Sequence, residues 1–165
     1  MKDWKARHLA TRTDQESTLT RYSGLYAPVD GVFEQLAKMA AQVFDATVVT
    51  VTVAEDARLW FPASEGPREG GALPLADSPS ALLKTSDGEP CAVEDTAADT
   101  RTREHPWVTT PNGIRFLAVA PIHAPDGQQV GTLEVMDRKR RRRVSAEQMN
   151  LLAGLAATWP SCCIC

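Results

Sequence analysis

The sequence predicts an α+β domain: a central antiparallel sheet with a helix from each end of the chain packed on one face. Three observations carry this reading. The amphipathic segment Asp30–Phe44 runs almost directly into the β-branched stretch Thr47–Ala54. The apolar runs Phe116–Ile122 and Val130–Met136 flank the tight turn Pro125-Asp126-Gly127. A capping box, Ser145-Ala146-Glu147-Gln148, then opens a last helix. Strands joined by tight turns pair antiparallel, and helices at the two ends of such a sheet can share one side.

Residues 1–27 are mixed polar and end at Pro28, which marks them as an N-terminal arm with helical character around Arg12–Tyr22. In Asp30–Phe44 the apolar residues Phe33, Leu36, Ala37, Ala40, Val43 and Phe44 fall on one helical face. Thr47–Ala54 alternates Val with Thr, the period of a strand. Arg58–Ala63 reads as a second strand broken at Pro62, and Gly66–Gly71 as loop. A short helix over Ser80–Lys84 and a short strand over Cys91–Glu94, after the Asp87-Gly88 turn, follow from composition. Asp99–Asn112 carries few periodic apolar residues and reads as loop with room for one helical turn.

The hairpin turn has a mechanism: Pro fixes φ, Asp bonds its own backbone, and Gly tolerates positive φ. In the last helix Met149, Leu152, Ala156 and Trp159 repeat at helical spacing, and Pro160 is expected to end it. The division expected is therefore an arm (1–27), a domain (28–159) and a cysteine-rich tail (160–165).

At 165 residues, 43% hydrophobic and 24% charged, the chain has the totals of one globular domain. No apolar run approaches the roughly 20 residues of a membrane helix. The first residues lack the apolar core of a secretory signal, so a cytoplasmic protein is expected. The net charge of −3 hides the consecutive cations Arg138, Lys139, Arg140, Arg141, Arg142 and Arg143. Such a run can meet phosphates of nucleic acid or of an anionic membrane, although no aromatic interleaving or DNA-reading helix accompanies it. A solvated loop is the simpler reading.

Cysteine and histidine chemistry is thin. Cys91 stands alone in the domain body, while Cys162, Cys163 and Cys165 crowd the tail. The tail has the form of a prenylation box, but a frayed, oxidisable end suits the bacterial-looking composition better. His8, His105 and His123 form no metal spacing with one another or with Cys91, so neither a metal nor a cofactor is expected.

Several segments together resemble a known family. These are Glu55-Asp56 with Leu59-Trp60-Phe61, then GEPCAVEDTAADTR (Gly88–Arg101) and HPWV (His105–Val108). GIRFLAVAPI (Gly113–Ile122) and DGQQVGTLEVMDR (Asp126–Arg138) complete the set. In order and spacing they are similar to the GAF domains found in bacterial histidine kinases and diguanylate cyclases, over Leu19–Trp159. The resemblance implies a PAS-like sheet with the terminal helices on one face, and loops and short helices over a pocket on the other. It also implies a sensory role in signal transduction, including two-component and cyclic dinucleotide systems, and dimerisation through the terminal helices. The chain departs from that variant at Ser78-Pro79-Ser80-Ala81-Leu82, where Ser80 and Leu82 replace a usual Cys and His. No kinase or cyclase follows Trp159, so any output is expected to come from a partner.

Ligand-contact candidates are Trp60, Asp95, Arg101, His105, Trp107 and Arg115. Trp60 or Trp107 can stack a flat ring, and Arg101 or Arg115 can pair an anionic group. Against this, Asp99 with Arg101 can simply pin their own loop, Arg115 can be a structural ion pair, and His105 a capping histidine. The reading is a non-catalytic sensory domain that binds a small molecule or relays a signal through dimer or partner contacts. An alternative is an interaction module targeted by residues 138–143. A third is a thiol reductase of the free methionine sulfoxide type, which needs more than Cys91, since turnover requires a resolving thiol.

Overall fold

Alternation in the strands decides how the molecule layers. The computed structural model describes residues 32–55, 58–65, 72–74, 77–83 and 88–162. In order these form α1 (Val32–Phe44), β1 (Val48–Glu55), β2 (Arg58–Glu65), β3 (Ala72–Pro74), a 3₁₀ turn (Pro79–Leu82) and β4 (Cys91–Val93). The short helix α2 (Pro106–Thr109), β5 (Phe116–His123), β6 (Gln129–Asp137) and α3 (Ala146–Cys162) complete the chain. The strands make one six-stranded antiparallel sheet in the order β3-β2-β1-β6-β5-β4.

On one face Val49, Val51 and Val53 of β1, alternate residues of β5 from Phe116 to Ile122, and Leu133 and Val135 of β6 form the main core. Ala37, Ala40 and Phe44 of α1 and Leu152 and Ala156 of α3 close over it. Both helices thus lie on the same side, as the sequence predicts. On the opposite face Leu117, Val119 and Met136 make a second core with Leu83 and Val93, covered in part by Trp107 and Ile114. Burial on both faces explains why β5 reads as a nearly unbroken apolar run.

Local chemistry accounts for the element ends. The capping box is formed: Ser145 Oγ accepts from the Gln148 amide and Gln148 Oε1 from the Ser145 amide, each at 3.1 Å. The Gln148 side chain also donates to the Val43 carbonyl, which ties α3 to α1. In the hairpin turn Asp126 Oδ1 accepts from the Gln128 amide at 3.0 Å, and Gly127 takes φ 85°. α1 ends in a Schellman motif, with Ala46 N donating to the Ala41 carbonyl and Asp45 N to the Gln42 carbonyl. Asp45 takes the left-handed position there at φ 45°, a role more often filled by glycine.

Four expectations change. β2 does not break at Pro62 but continues to Glu65, because the β1–β2 register slips between Val51↔Ala63 and Val53↔Trp60. Phe61 and Pro62 together face Thr52 in this bulge, where a missing amide costs no ladder bond. A three-residue edge strand, β3, pairs with β2 beyond the expected loop. The short helix expected at Ser80–Lys84 is a 3₁₀ turn over Pro79–Leu82. α3 passes Pro160 and runs to Cys162, since a proline in the last turn removes one backbone bond while its fixed φ suits the helix. The expected helical character at Arg12–Tyr22 lies outside the described residues.

Candidate functional site

The face of the sheet away from the helices carries Trp107 with His105 against it, and the segment 94–115 positions five of the six residues that the sequence singled out. Thr96 anchors this segment. Its amide donates to the Arg115 carbonyl at 3.0 Å and its hydroxyl to the Ile114 carbonyl at 2.7 Å. Thr102, also buried, donates its hydroxyl to the Thr96 carbonyl at 2.7 Å. The loop is therefore built on internal bonds before any ligand is considered.

The charged candidates take part in that construction. Asp99 accepts from the Arg101 amide at 2.8 Å and from the guanidinium at 2.6 Å. The arginine's bonds hold the Asp99 carboxyl below its ordinary pKa. Arg115 donates to the Val108 carbonyl at 2.8 Å and to the Ile114 carbonyl at 3.0 Å, which pins the end of α2 to the start of β5. Asp95 caps its own turn through the Ala97 amide and meets the exposed Arg140 at 3.6 Å. It lines a shallow groove of about 550 Å³ with Glu94, Asp99, Val144 and Met149, at the β4 edge near the start of α3.

His105 and Trp107 are brought together. Buried His105 is the N-cap of α2, its Nδ1 accepting from the Trp107 amide at 3.2 Å, and the rings meet edge to face at 6.2 Å. Trp107 packs against the second core. β2 places Trp60 in register with Val53, whose side chain belongs to the helix-side core; the Trp60 side chain lies outside the described residues. Thus the structure unites His105 with Trp107 and Asp99 with Arg101, but it sets Asp95 at a different edge and Trp60 on β2.

The cap makes His105 a pH-sensitive element. An Nδ1 that accepts a hydrogen bond from the Trp107 amide carries no proton of its own, so protonation there breaks the cap. Burial holds its pKa below the ordinary imidazole value, with Asp77 only partly offsetting this. The unfolded chain then binds the proton more tightly than the folded one. Stability should therefore be full at neutral pH and fall as pH drops below about 6.5. We expect the melting temperature to decline from pH 6.5 to 5. His105→Asn, which keeps a cap acceptor without a titrating ring, should show a shallower decline in the same scan.

Cys91, half-buried on β4, has its thiol pKa raised, chiefly by burial, while Arg101 pulls the other way. That is the opposite of an activated thiolate. No group of three or more His, Cys, Asp or Glu able to hold a metal occurs among the described residues. No helix among them is long and apolar enough to cross a membrane.

Within the basic run, Arg141 is structural. Its guanidinium donates to the Phe44 and Asp45 carbonyls at 2.9 Å and to Asp137 Oδ2 at 2.8 Å, and lies 5.3 Å from the Phe116 ring centre. Arg138, Lys139, Arg140, Arg142 and Arg143 remain exposed.

Sequence reasoning missed a polar strip on the same sheet face: Thr50, Thr52, Thr132 and Glu134, all buried. Thr132 Oγ1 donates to Glu134 Oε1 at 2.8 Å and meets Thr52 Oγ1. The signal was present in the alternation of Thr with Val in β1 and of Thr and Glu with Leu and Val in β6. A covered polar face and a wet one have the same period, so alternation alone could not separate them.

A single antiparallel sheet, helices on one face and an internally braced loop segment on the other, defines a small α+β domain. The GAF domain family model matches residues 28–158, and the chain belongs to that family. Over 127 residues it is 31% identical to a cyclic di-GMP phosphodiesterase of Pseudomonas aeruginosa, covering 77% of this chain and 21% of that protein. The chain thus spans about one fifth of that relative's length. The GAF domain of PixJ from Thermosynechococcus elongatus, in its blue-light absorbing form, superposes with a TM-score of 0.64 at 18% identity, covering 79% of this chain and 82% of that one. A type II free methionine-R-sulfoxide reductase from Thermoplasma acidophilum gives 0.60 at 15%, covering 79% and 91%. These two likenesses concern the fold.

Proposed function

We propose that this chain is a sensory domain that binds a small molecule on the loop-covered face of the sheet and passes its occupancy to the terminal helices. One observation carries the reading: β6 connects the two faces. Glu134 and Met136 lie on the loop-covered side, and Asp137 at the end of the same strand holds Arg141, which grips the end of α1. The Asp137 carbonyl also accepts from the Arg115 amide at 2.7 Å, so the covering loop and the helix layer meet at one residue. A ligand that orders one packing of the loop would thereby favour one packing of α1 and α3. Similarity to part of a cyclic di-GMP phosphodiesterase supports a place in cyclic dinucleotide signalling, with the sensory domain acting on an effector or partner.

Native mass spectrometry of freshly purified, reduced protein tests this. An added mass that disappears on denaturation is expected. A bare protein that also shows no change in helix packing, by hydrogen exchange across α1 and α3, in the presence of cell-extract metabolites would defeat the proposal.

A further inference from the structure

We infer that this domain docks on an anionic membrane surface through the outer face of α3 and the basic loop 138–143 that leads into it. The inference goes beyond the ligand reading and does not depend on it. Its first ground is the composition of α3, where of 17 residues only Glu147 is charged. Leu152 and Ala156 belong to the core, but Asn150, Leu151, Gly154, Ala157 and Thr158 face solvent. Thr158 spends its hydroxyl proton on the Leu155 carbonyl at 2.7 Å, and a methyl on Gly154 would meet nothing within 4 Å. A helix this poor in charge on its solvent side is expected to be covered. Leu151 is 48% exposed and Met39 46%, the two large hydrophobic side chains left in solvent among the described residues. Each lies about one turn from the Gln148–Val43 bond that ties α3 to α1.

The loop supplies the charge and is braced from both sides. Lys139 N donates to Asp137 Oδ1 at 3.0 Å, Arg141 N to the Glu94 carbonyl at 2.8 Å and Val144 N to Glu94 Oε1 at 2.8 Å. The Arg141 side chain is turned inward to the Phe44 and Asp45 carbonyls. Arg138, Lys139, Arg142 and Arg143 are exposed with no side-chain partner among the described residues, and Arg140 meets Asp95 only at 3.6 Å. Against these five cations stand Asp45 at the end of α1 and Glu147 in the first turn of α3, both exposed. The bracing therefore holds a surplus of positive charge beside the start of the uncharged helix face.

Cations at the headgroup level next to an apolar helix face are the two components of interfacial binding. The chain as a whole carries −3, so attraction to an anionic surface is confined to this edge and orients the domain on it. Nucleic acid would suit the cations but leave the helix face unused. A second copy would suit the helix face, but a two-fold contact along parallel α3 helices would set two basic loops side by side.

Flotation of the full, reduced chain with lipid vesicles tests this. Phosphatidylcholine vesicles with about one third phosphatidylserine should bind it about tenfold or more tightly than phosphatidylcholine alone, and added salt should weaken the binding. The paired reversal Arg142→Glu with Arg143→Glu should abolish it, and Leu151→Ser should weaken it several-fold. These positions are exposed, so the variants should keep the parent's melting temperature. Equal binding to both vesicles, no binding to either, or binding unchanged in either variant overturns the inference. Tighter binding to a DNA duplex at the same salt assigns the loop to nucleic acid and also overturns it. So does a dimer in sedimentation that Leu151→Ser dissociates, if vesicles bind nothing.

Discussion

Arg141→Ala is expected to lower stability by about 3 kcal/mol, on the scale of removing one partner from a largely buried charge pair. The side chain is 24% exposed and Asp137 only 4%, so solvent screens the pair weakly. Truncation also uncaps the Phe44 and Asp45 carbonyls at the end of α1, where a cation suits the helix dipole, and removes the guanidinium from the Phe116 ring. The Arg141 amide would still donate to the Glu94 carbonyl, and Lys139 N to Asp137 Oδ1, so the loop path should survive. For a domain of this size the shift in melting temperature is about 6–12 °C. Arg142→Ala, at an exposed position of the same run, should change it by less than about 2 °C. Parallel thermal melts of the two variants measure the contrast, and equal effects would mean that the run acts only through its total charge.

Gly131→Ala should be more damaging still, at about 3 kcal/mol or more. A methyl at this position would overlap the Thr52 carbonyl oxygen and sit 3.3 Å from the Val53 Cα. β6 is held between β1 and β5, so neither neighbour can retreat without breaking a ladder. Gly154→Ala provides the opposite sign. Its methyl would meet nothing within 4 Å on the exposed side of α3, and helix propensity alone should raise stability by up to about 1 kcal/mol. Urea unfolding of both variants against the parent chain reads the difference directly. A neutral Gly131→Ala would show that the sheet can open at β1–β6, and with it the floor of the proposed site.

Much of the fold was legible because its signals are local. The Ser145–Gln148 box acts within one turn, and the Pro125-Asp126-Gly127 turn within a few bonds. The edge strand β3 was not legible, since three residues beside a Gly-rich segment carry no period and form a strand only because β2 is there to pair with them. Pro62 misled for a related reason: whether a proline breaks a strand depends on the facing strand, and the register slip on β1 absorbs it. The site was less legible than the fold. Arg101, Arg115 and His105 attract notice as residue types, but their partners are their own loop and the ends of α2. Glu134 drew none, because a lone glutamate in an alternating strand is the ordinary mark of a solvated face.

The sequence by itself determined the α+β class and the positions of the hairpin and the terminal helices, because these rest on periodicity, caps and turn chemistry within short spans, while the order of its motifs carried the family resemblance. Tertiary structure alone decided which charged side chains are spent on holding the fold and which polar residues line up across strands. Arg141 finds Phe44 only when the end of β6 returns past α1, and Thr50 faces Glu134 only through the antiparallel register of strands that lie about half the chain apart. Partnership and burial belong to the packed molecule, since a charge or hydroxyl has no fixed role until another element removes its water.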